Sequence, residues 1–242
     1  FIIKIDYSPF KMSHPEQTIF ITDCLAIIKK EFKNPQILEV GSYNVNSIIS
    51  YRNFIKNSNY IGIDLVEGPG VDIVLSGESI LQLNTKFDII ISAECFEHAQ
   101  NWHIIFDQMI KSIKDEGYII LTIASKGRAE HGTARTEKMD SPGSYNYYMN
   151  LTKKDFFKRF KIKKIFEDIF FFYNINTYDL YVILRKKKNS NSVELIKEKY
   201  SKLYKDIPNL KNIIKFMICS IIGDKNCQNL IFTVKKFKNL FN

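Results

Sequence analysis

Apolar positions along the chain follow two rhythms. Residues 16–32 place Ile19, Phe20, Leu25, Ile28 and Phe32 at helical spacing and stop before Asn34-Pro35, which predicts an amphipathic helix. The rhythm then changes. Residues 36–40 are a short apolar run closed by Gly41, 60–64 and 71–75 are two more β-branched runs, and 87–92 (F-D-I-I-I-S) and 117–123 are apolar again. Between them 47–56 suits a helix, and 101–114 carries Trp102, Ile105, Phe106, Met109, Ile110 and Ile113 on one side. Strands without polar alternation, separated by helices, predict a parallel sheet covered on both faces.

The later segments close that sheet differently. Thr152 followed by Asp155 resembles a capping box that opens a helix over 153–160. Residues 162–173 and 178–185 read as two long strands joined by Asn174-Ile175-Asn176-Thr177, a hairpin that ends the sheet with antiparallel partners. The expected fold class is therefore α/β: a Rossmann-like doubly wound, mostly parallel sheet with an antiparallel C-terminal hairpin, plus a helical C-terminal extension. The charged, polar run 186–192 is the best boundary, and 193–204, 210–222 and 230–241 beyond it read as helices. This divides the chain into an N-terminal helical segment (1–34), the core (35–185) and the extension (186–242).

Composition narrows the class. At 242 residues there is room for one α/β domain and an appendage, and 45% hydrophobic with 25% charged residues is a globular mixture. Cys24, Cys95, Cys219 and Cys227 form no C-x-x-C pair, which argues against a zinc site or a disulfide scaffold and suits a reducing cytosol. No run approaches the length of a membrane span and no signal peptide opens the sequence, so a cytoplasmic protein is expected. The net charge of +9 is unevenly placed: residues 1–185 hold 22 Lys/Arg against 22 Asp/Glu, and 186–242 hold 13 against 4. A neutral body with a basic tail is not a nucleic-acid binder in outline. Within the tail, 210–222 is apolar around most of a helix with lysines beside it. It suits packing on the core, a homodimer contact through 193–242, or peripheral contact with an anionic inner membrane face.

The first strand runs into Glu39-Val40-Gly41-Ser42-Tyr43. A strand that ends on glycine and turns lets backbone N–H groups approach a ligand at the carboxyl edge of a sheet. Twenty-three residues later Asp64 ends the second strand, where a carboxylate accepts hydrogen bonds from ribose hydroxyls. This pairing suits NAD and other nucleoside cofactors alike.

Longer stretches separate them. I-L-E-V-G, Y-I-G-I-D, F-D-I-I-I-S-A-E-C-F-E-H and K-D-E-G-Y-I-I-L-T, in that order over 36–123, resemble the class I S-adenosylmethionine-dependent methyltransferases. S-H-P-E-Q at 13–17, G-P-G-V-D at 68–72, G-R-A-E-H-G-T-A-R-T at 127–136 and S-P-G-S-Y-N-Y-Y-M-N-L-T at 141–152 are similar to members from bacterial capsule and surface-polysaccharide gene clusters. The resemblance spans roughly residues 12–185. It implies S-adenosylmethionine (SAM) as cofactor and S-adenosylhomocysteine (SAH) as product. Glu39, Gly41, Ser42 and Tyr43 would line the methionine moiety, Asp64 and Leu65 the ribose, Ser76, Gly77 and Glu78 the adenine, and Glu94 the sulfonium end. Two departures stand out: Tyr43 and Val45 occupy positions usually held by glycine, and Ser76 replaces the acidic residue that often faces the adenine amino group.

A hydroxyl acceptor must lose a proton, which calls for a base beside the transferred methyl. His98, directly after the fourth strand, and His131, in the polar loop after the fifth, are the catalytic candidates; a helix-start histidine packed on the core is the other reading of His98. Arg128, Glu130 and Arg135 suit a phosphate- or sugar-bearing acceptor, and a solvated loop is their plain alternative. Tyr147 and Tyr148, with Tyr145, suit stacking on a sugar ring or ordinary packing. The resemblance adds His14 as a cap from the N-terminal segment. No carboxylate cluster calls for a metal. The expected activity is O-methylation of a sugar or phosphate-linked precursor of a surface polysaccharide. The rivals are an RNA methyltransferase, against which the neutral core and the lack of a D-P-P-Y-type motif count, and a non-catalytic binding protein on the same fold.

Overall fold

The computed structural model describes residues 15–45, 50–187, 191–203 and 209–240. Its sheet contains β1 (Gln36–Val40), β2 (Asn59–Asp64), β3 (Ile73–Val74), β4 (Phe87–Ala93), β5 (Ile113–Ala124), β6 (Asp168–Asn174) and β7 (Asp179–Arg185), in the order β3-β2-β1-β4-β5-β7-β6. β1 to β5 are parallel, and β7 inserts antiparallel between β5 and β6. The helices are α1 (Pro15–Ile28), α2 (Trp102–Ser112), α3 (Lys153–Arg159), α4 (Ile162–Ile165), α5 (Asn191–Leu203), α6 (Leu210–Ile222) and α7 (Asp224–Leu240).

Two hydrophobic layers follow from the period of the strands, whose successive side chains point to opposite faces. Leu38, Ile90, Ile119 and Leu121 face Phe106 and Met109 of α2 and Phe156 of α3. Ile37, Ile89, Ile91 and Ile120 face Phe20, Ile21 and Leu25 of α1, together with Val193, Ile196 and Tyr200 of α5. Because both faces are covered, the central strands lack the polar alternation of a half-exposed sheet. β1 pairs with β2 on one side and β4 on the other. At this switch in winding direction the loops after β1 and β4 diverge and open a crevice at the carboxyl edge of the sheet.

Local departures from the expected elements have local causes. The first helix is shorter than 16–32, ending at Ile28 before a 3-10 turn over Lys29–Glu31. Part of the helix expected over 47–56 lies outside the described residues. Its remainder is a 3-10 turn, Tyr51–Phe54, begun by Ser50, whose hydroxyl accepts from the Arg52 N–H at 3.3 Å. Asn57 at φ 61° then turns the chain towards β2. The strand expected from 162 begins only at Asp168, because Ile162 and Phe166, one helical turn apart, bury their side chains through α4. Ile113 pairs with Phe87, so the segment expected to be helical to 114 yields its end to β5. The last helix starts at Asp224 rather than 230, after Gly223 at φ 81°.

The extension meets the body through each of its helices, first through α5. Tyr200 on α5 donates to Asp23 of α1 at 3.0 Å, and Lys199 pairs with the same carboxylate at 2.7 Å. α6 and α7 are joined by a disulfide between Cys219 and Cys227, whose Cα atoms are 5.0 Å apart. This corrects the expectation of unpaired cysteines: the turn at Gly223 folds two helices back on each other and brings together residues eight positions apart. Ile214, Met217, Ile218 and Ile221 of α6 remain exposed. No helix among the described residues is long and apolar enough to cross a membrane.

Candidate functional site

The loop after β1 begins with Gly41 at φ 77°, a left-handed conformation in which a Cβ costs about 1–2 kcal/mol. A side chain there is excluded for a second reason. Its Cβ would lie 2.7 Å from the Cys95 Cβ and 2.8 Å from its sulfur. Gly41 therefore lets the loops after β1 and β4 touch. The Gly41 and Ser42 amides both donate to the Ile63 carbonyl, at 3.0 and 3.1 Å, which fixes the loop to the end of β2.

Asp64, at that end, accepts from the Tyr43 amide at 3.0 Å and from its neighbour Leu65 at 2.6 Å. Burial raises its pKa and these backbone bonds oppose the rise. The non-glycine Tyr43 is accommodated by Gly68, where a Cβ would sit 1.9 Å from the tyrosine ring. The Asn44 amide then donates to the Pro69 carbonyl at 2.7 Å, and the Gly62 amide to Asp72 at 2.7 Å. The G-P-G-V-D segment thus supports the loop after β1 from outside. Glu39 is buried beneath it, where burial lifts its carboxyl to about 7 against the hydrogen bond donated by Tyr60 at 2.6 Å. Ser76 caps the next turn by accepting from the Glu78 amide at 3.2 Å, and Gly77 lies where a Cβ would meet Ile105 at 2.9 Å.

The loop after β4 carries the most concentrated chemistry. Glu94 holds φ 49°, rare for a residue with a long side chain, and its amide donates to the Thr122 carbonyl at 2.9 Å. That twist sends successive side chains of E-C-F-E-H to different places. Cys95 goes under Gly41, where burial pushes its thiol up to about 12, so it is no nucleophile at neutral pH. Glu97 is fully buried and accepts from the Ala124 amide at 3.0 Å. Burial, followed by the Glu94 charge, holds its pKa well above the ordinary value. His98 is 6% exposed, and burial with His131 beside it lowers its pKa to about 3, leaving a neutral ring at physiological pH.

The loop after β5 supplies the opposite wall. His131 donates from Nδ1 to the Ala129 carbonyl at 3.1 Å, and its Nε2 lies 3.9 Å from Glu94. The His98 and His131 rings are 5.1 Å apart, and Tyr148 stands edge-on to both at 5.4 and 5.1 Å. Arg128 is buried, 3.5 Å from Glu94 and 3.5 Å from Asp179. α7 backs this loop. Gln228 accepts from the Glu130 amide at 2.9 Å and donates to the Arg128 carbonyl at 2.7 Å.

These walls enclose a cleft of about 470 Å³. Glu39, Gly41, Ser42, Tyr43, Asp64 and Leu65 line it, as do Ser76, Gly77, Glu78, Glu94, His98, His131 and Tyr147. Tyr148 abuts the two histidines behind that lining. The arginines sit differently from a phosphate grip: Arg128 is turned into the protein, and Arg135 spends its charge on Glu130 while lying over Phe232. His14 lies outside the described residues. Thr18, Tyr51, Ser141 and Gly143 also line the cleft. Sequence reading gave them no role, although Ser141 and Gly143 belong to the quoted S-P-G-S-Y stretch. The fit to SAM rests on a glycine cradle that a Cβ would fill and on carboxylates at the positions suited to its ammonium and ribose. At the other end, a cluster of two imidazoles and two carboxylates is equipped to take or hold a proton.

The chain matches a family described as "Methyltransferase domain" over residues 17–169. No curated protein matches it in sequence. Among solved structures, the plantazolicin methyltransferase BpumL, in complex with a triazolic desmethylPZN analog and SAH, is similar with a TM-score of 0.52 and 16% identity, over 73% of this chain and 87% of that one. The related BamL complex aligns with a TM-score of 0.52 and 17% identity, over 71% and 85%. The N-terminal domain of EvdMO1, in the presence of SAH and D-fucose, aligns with a TM-score of 0.51 and 14% identity, over 72% and 84%.

Proposed function

Since the chain belongs to the methyltransferase domain family and is a SAM-dependent methyltransferase, we propose that it methylates a hydroxyl of a sugar or phosphate-linked precursor of a bacterial surface polysaccharide. The observation that carries this reading is the His98–His131 pair on the cleft wall beside Glu94.

When bound, SAM supplies an electrophilic methyl group. The chain supplies position and proton management. Asp64 and the Gly41–Tyr43 backbone would hold the ribose and methionine parts, and Glu39 the ammonium. At the acceptor side His131, with Glu94 beside it to stabilise the resulting charge, is placed to take the proton of a hydroxyl, whereas His98, whose pKa burial lowers to about 3, is too weak a base for that step. Arg128 keeps Glu94 in place. Tyr147, on the cleft lining, offers an aromatic face of the kind that stacks on sugar rings. The presence of D-fucose with the structurally similar EvdMO1 domain supports a sugar-class acceptor.

The test is incubation of the full chain with SAM and separate panels of sugar nucleotides, sugar phosphates and RNA, followed by mass spectrometry. The reading expects a gain of one methyl on a sugar hydroxyl. Methylation confined to RNA, or to a nitrogen or carbon acceptor, would contradict it.

A further inference from the structure

We propose that Glu97, His98 and His131 form a binding site for one divalent first-row transition ion, of the manganese-to-zinc class, on the acceptor side of the cleft. One ligand atom from each of the three lies within 4.8 Å of the others. Donors on a shared ion at bonds of about 2.1 Å stand about 3.4 Å apart in a tetrahedron, so small side-chain rotations close the set.

Two features point to an ion rather than to packing. Glu97 Oε2 and His98 Nδ1 are buried and have no hydrogen-bond partner, a costly arrangement for polar atoms unless something else engages them. The His131 Nδ1 is against the Ala129 carbonyl. A carbonyl only accepts, so this nitrogen carries the hydrogen and Nε2 offers its lone pair. Metal-binding histidines are oriented in this way, the far nitrogen donating to a backbone carbonyl or carboxylate.

Two imidazoles with a carboxylate favour transition ions over calcium or magnesium, which take oxygen ligands. Three protein ligands also leave coordination positions open, as in sites that act on a bound molecule rather than sites that only brace a fold. His98 and His131 line the cleft, so those positions face it. A hydroxyl oxygen of the acceptor is the ligand they suit. That last assignment rests on the function proposed above and, with His131 Nε2 engaged by the ion, passes the hydroxyl proton to the neighbouring Glu94 in place of the imidazole; the ion site itself does not rest on it.

The experiment uses the full chain, stripped with a chelator and titrated calorimetrically with Zn²⁺, Mn²⁺ and Mg²⁺ in turn, with SAH titrated in parallel. One Zn²⁺ or Mn²⁺ ion per chain is expected, with Mg²⁺ weaker. Glu97→Gln and His131→Ala should each weaken the ion by at least about tenfold while SAH affinity stays within about threefold, showing that the variants are folded. His103→Ala, outside the cluster, should bind the ion like the parent. No stoichiometric binding would overturn the proposal, and so would binding that neither cluster variant changes. Ion binding without SAH binding would keep the site and overturn the methyltransferase reading instead.

Discussion

The two ends of the cleft are built from different materials. At the end proposed to hold the cofactor the parts are backbone: the Gly41 and Ser42 amides tied to Ile63, the Tyr43 amide tied to Asp64, and glycines 62, 68 and 70 packed where no Cβ fits. At the proposed acceptor end they are side chains collected from β4's exit, the loop after β5, and the buttress of α7. A backbone cradle depends on short contiguous motifs and survives change around it. A side-chain cluster depends on long-range folding and is free to vary in what it binds. This contrast predicts that variants at the two ends separate binding from turnover.

The sharpest separation should come from His131→Ala. Removal of the group proposed to handle the acceptor proton should lower kcat by roughly 10²–10⁴ and leave SAH affinity within about threefold, as read by steady-state kinetics and calorimetry.

Glu39→Gln breaks the contrast from the other end. Its carboxyl is raised from 4.5 to about 7 by burial, so the folded state holds the proton more tightly than the unfolded chain. That contribution is full below about pH 4.5 and is lost as pH rises through about 7, at a cost of up to about 3 kcal/mol in the ligand-free protein. Thermal melts should therefore show the variant more stable than the parent at pH 8 and little different at pH 4.5. SAH should bind the variant more weakly.

Asp64→Ala removes the carboxylate proposed to accept two ribose hydroxyl hydrogen bonds, each worth about 1.5–3 kcal/mol when the partner is charged. SAH affinity should fall by at least about 100-fold in a calorimetric titration. The smallest effect is expected for Gln228→Ala, which loosens the loop carrying His131 by removing two buried hydrogen bonds of about 1 kcal/mol each. It should raise the acceptor KM several-fold and leave SAH binding intact.

The same contrast explains what the sequence revealed. The central strands were legible because burial on both faces leaves uninterrupted apolar runs, and Gly41 and Asp64 because they sit at strand ends where geometry dictates residue type. His98 and His131 were found as separate candidates, one by its place after β4 and the other in a loop. Their 5.1 Å approach depends on how the loop after β5 folds back, which no local pattern encodes. Glu97 passed without a role because E-C-F-E-H does not show that the positive φ of Glu94 turns the next glutamate inward. Arg128 and Arg135 read as an anion grip because sequence records charge and not pairing; Asp179 and Glu130 claim them in the fold. The Tyr43–Gly68 contact was hidden for a similar reason, since its halves lie in two loops. The short helix at 162–165 was lost because an apolar run with period-four burial also reads as a strand.

The most direct test of the central claim is calorimetric titration of the full chain with SAH, with NAD run in parallel, repeated on Asp64→Ala. The account requires one SAH per chain, no NAD binding, and marked weakening in the variant. Binding of NAD in place of SAH, or SAH binding that Asp64→Ala leaves unchanged, would contradict it.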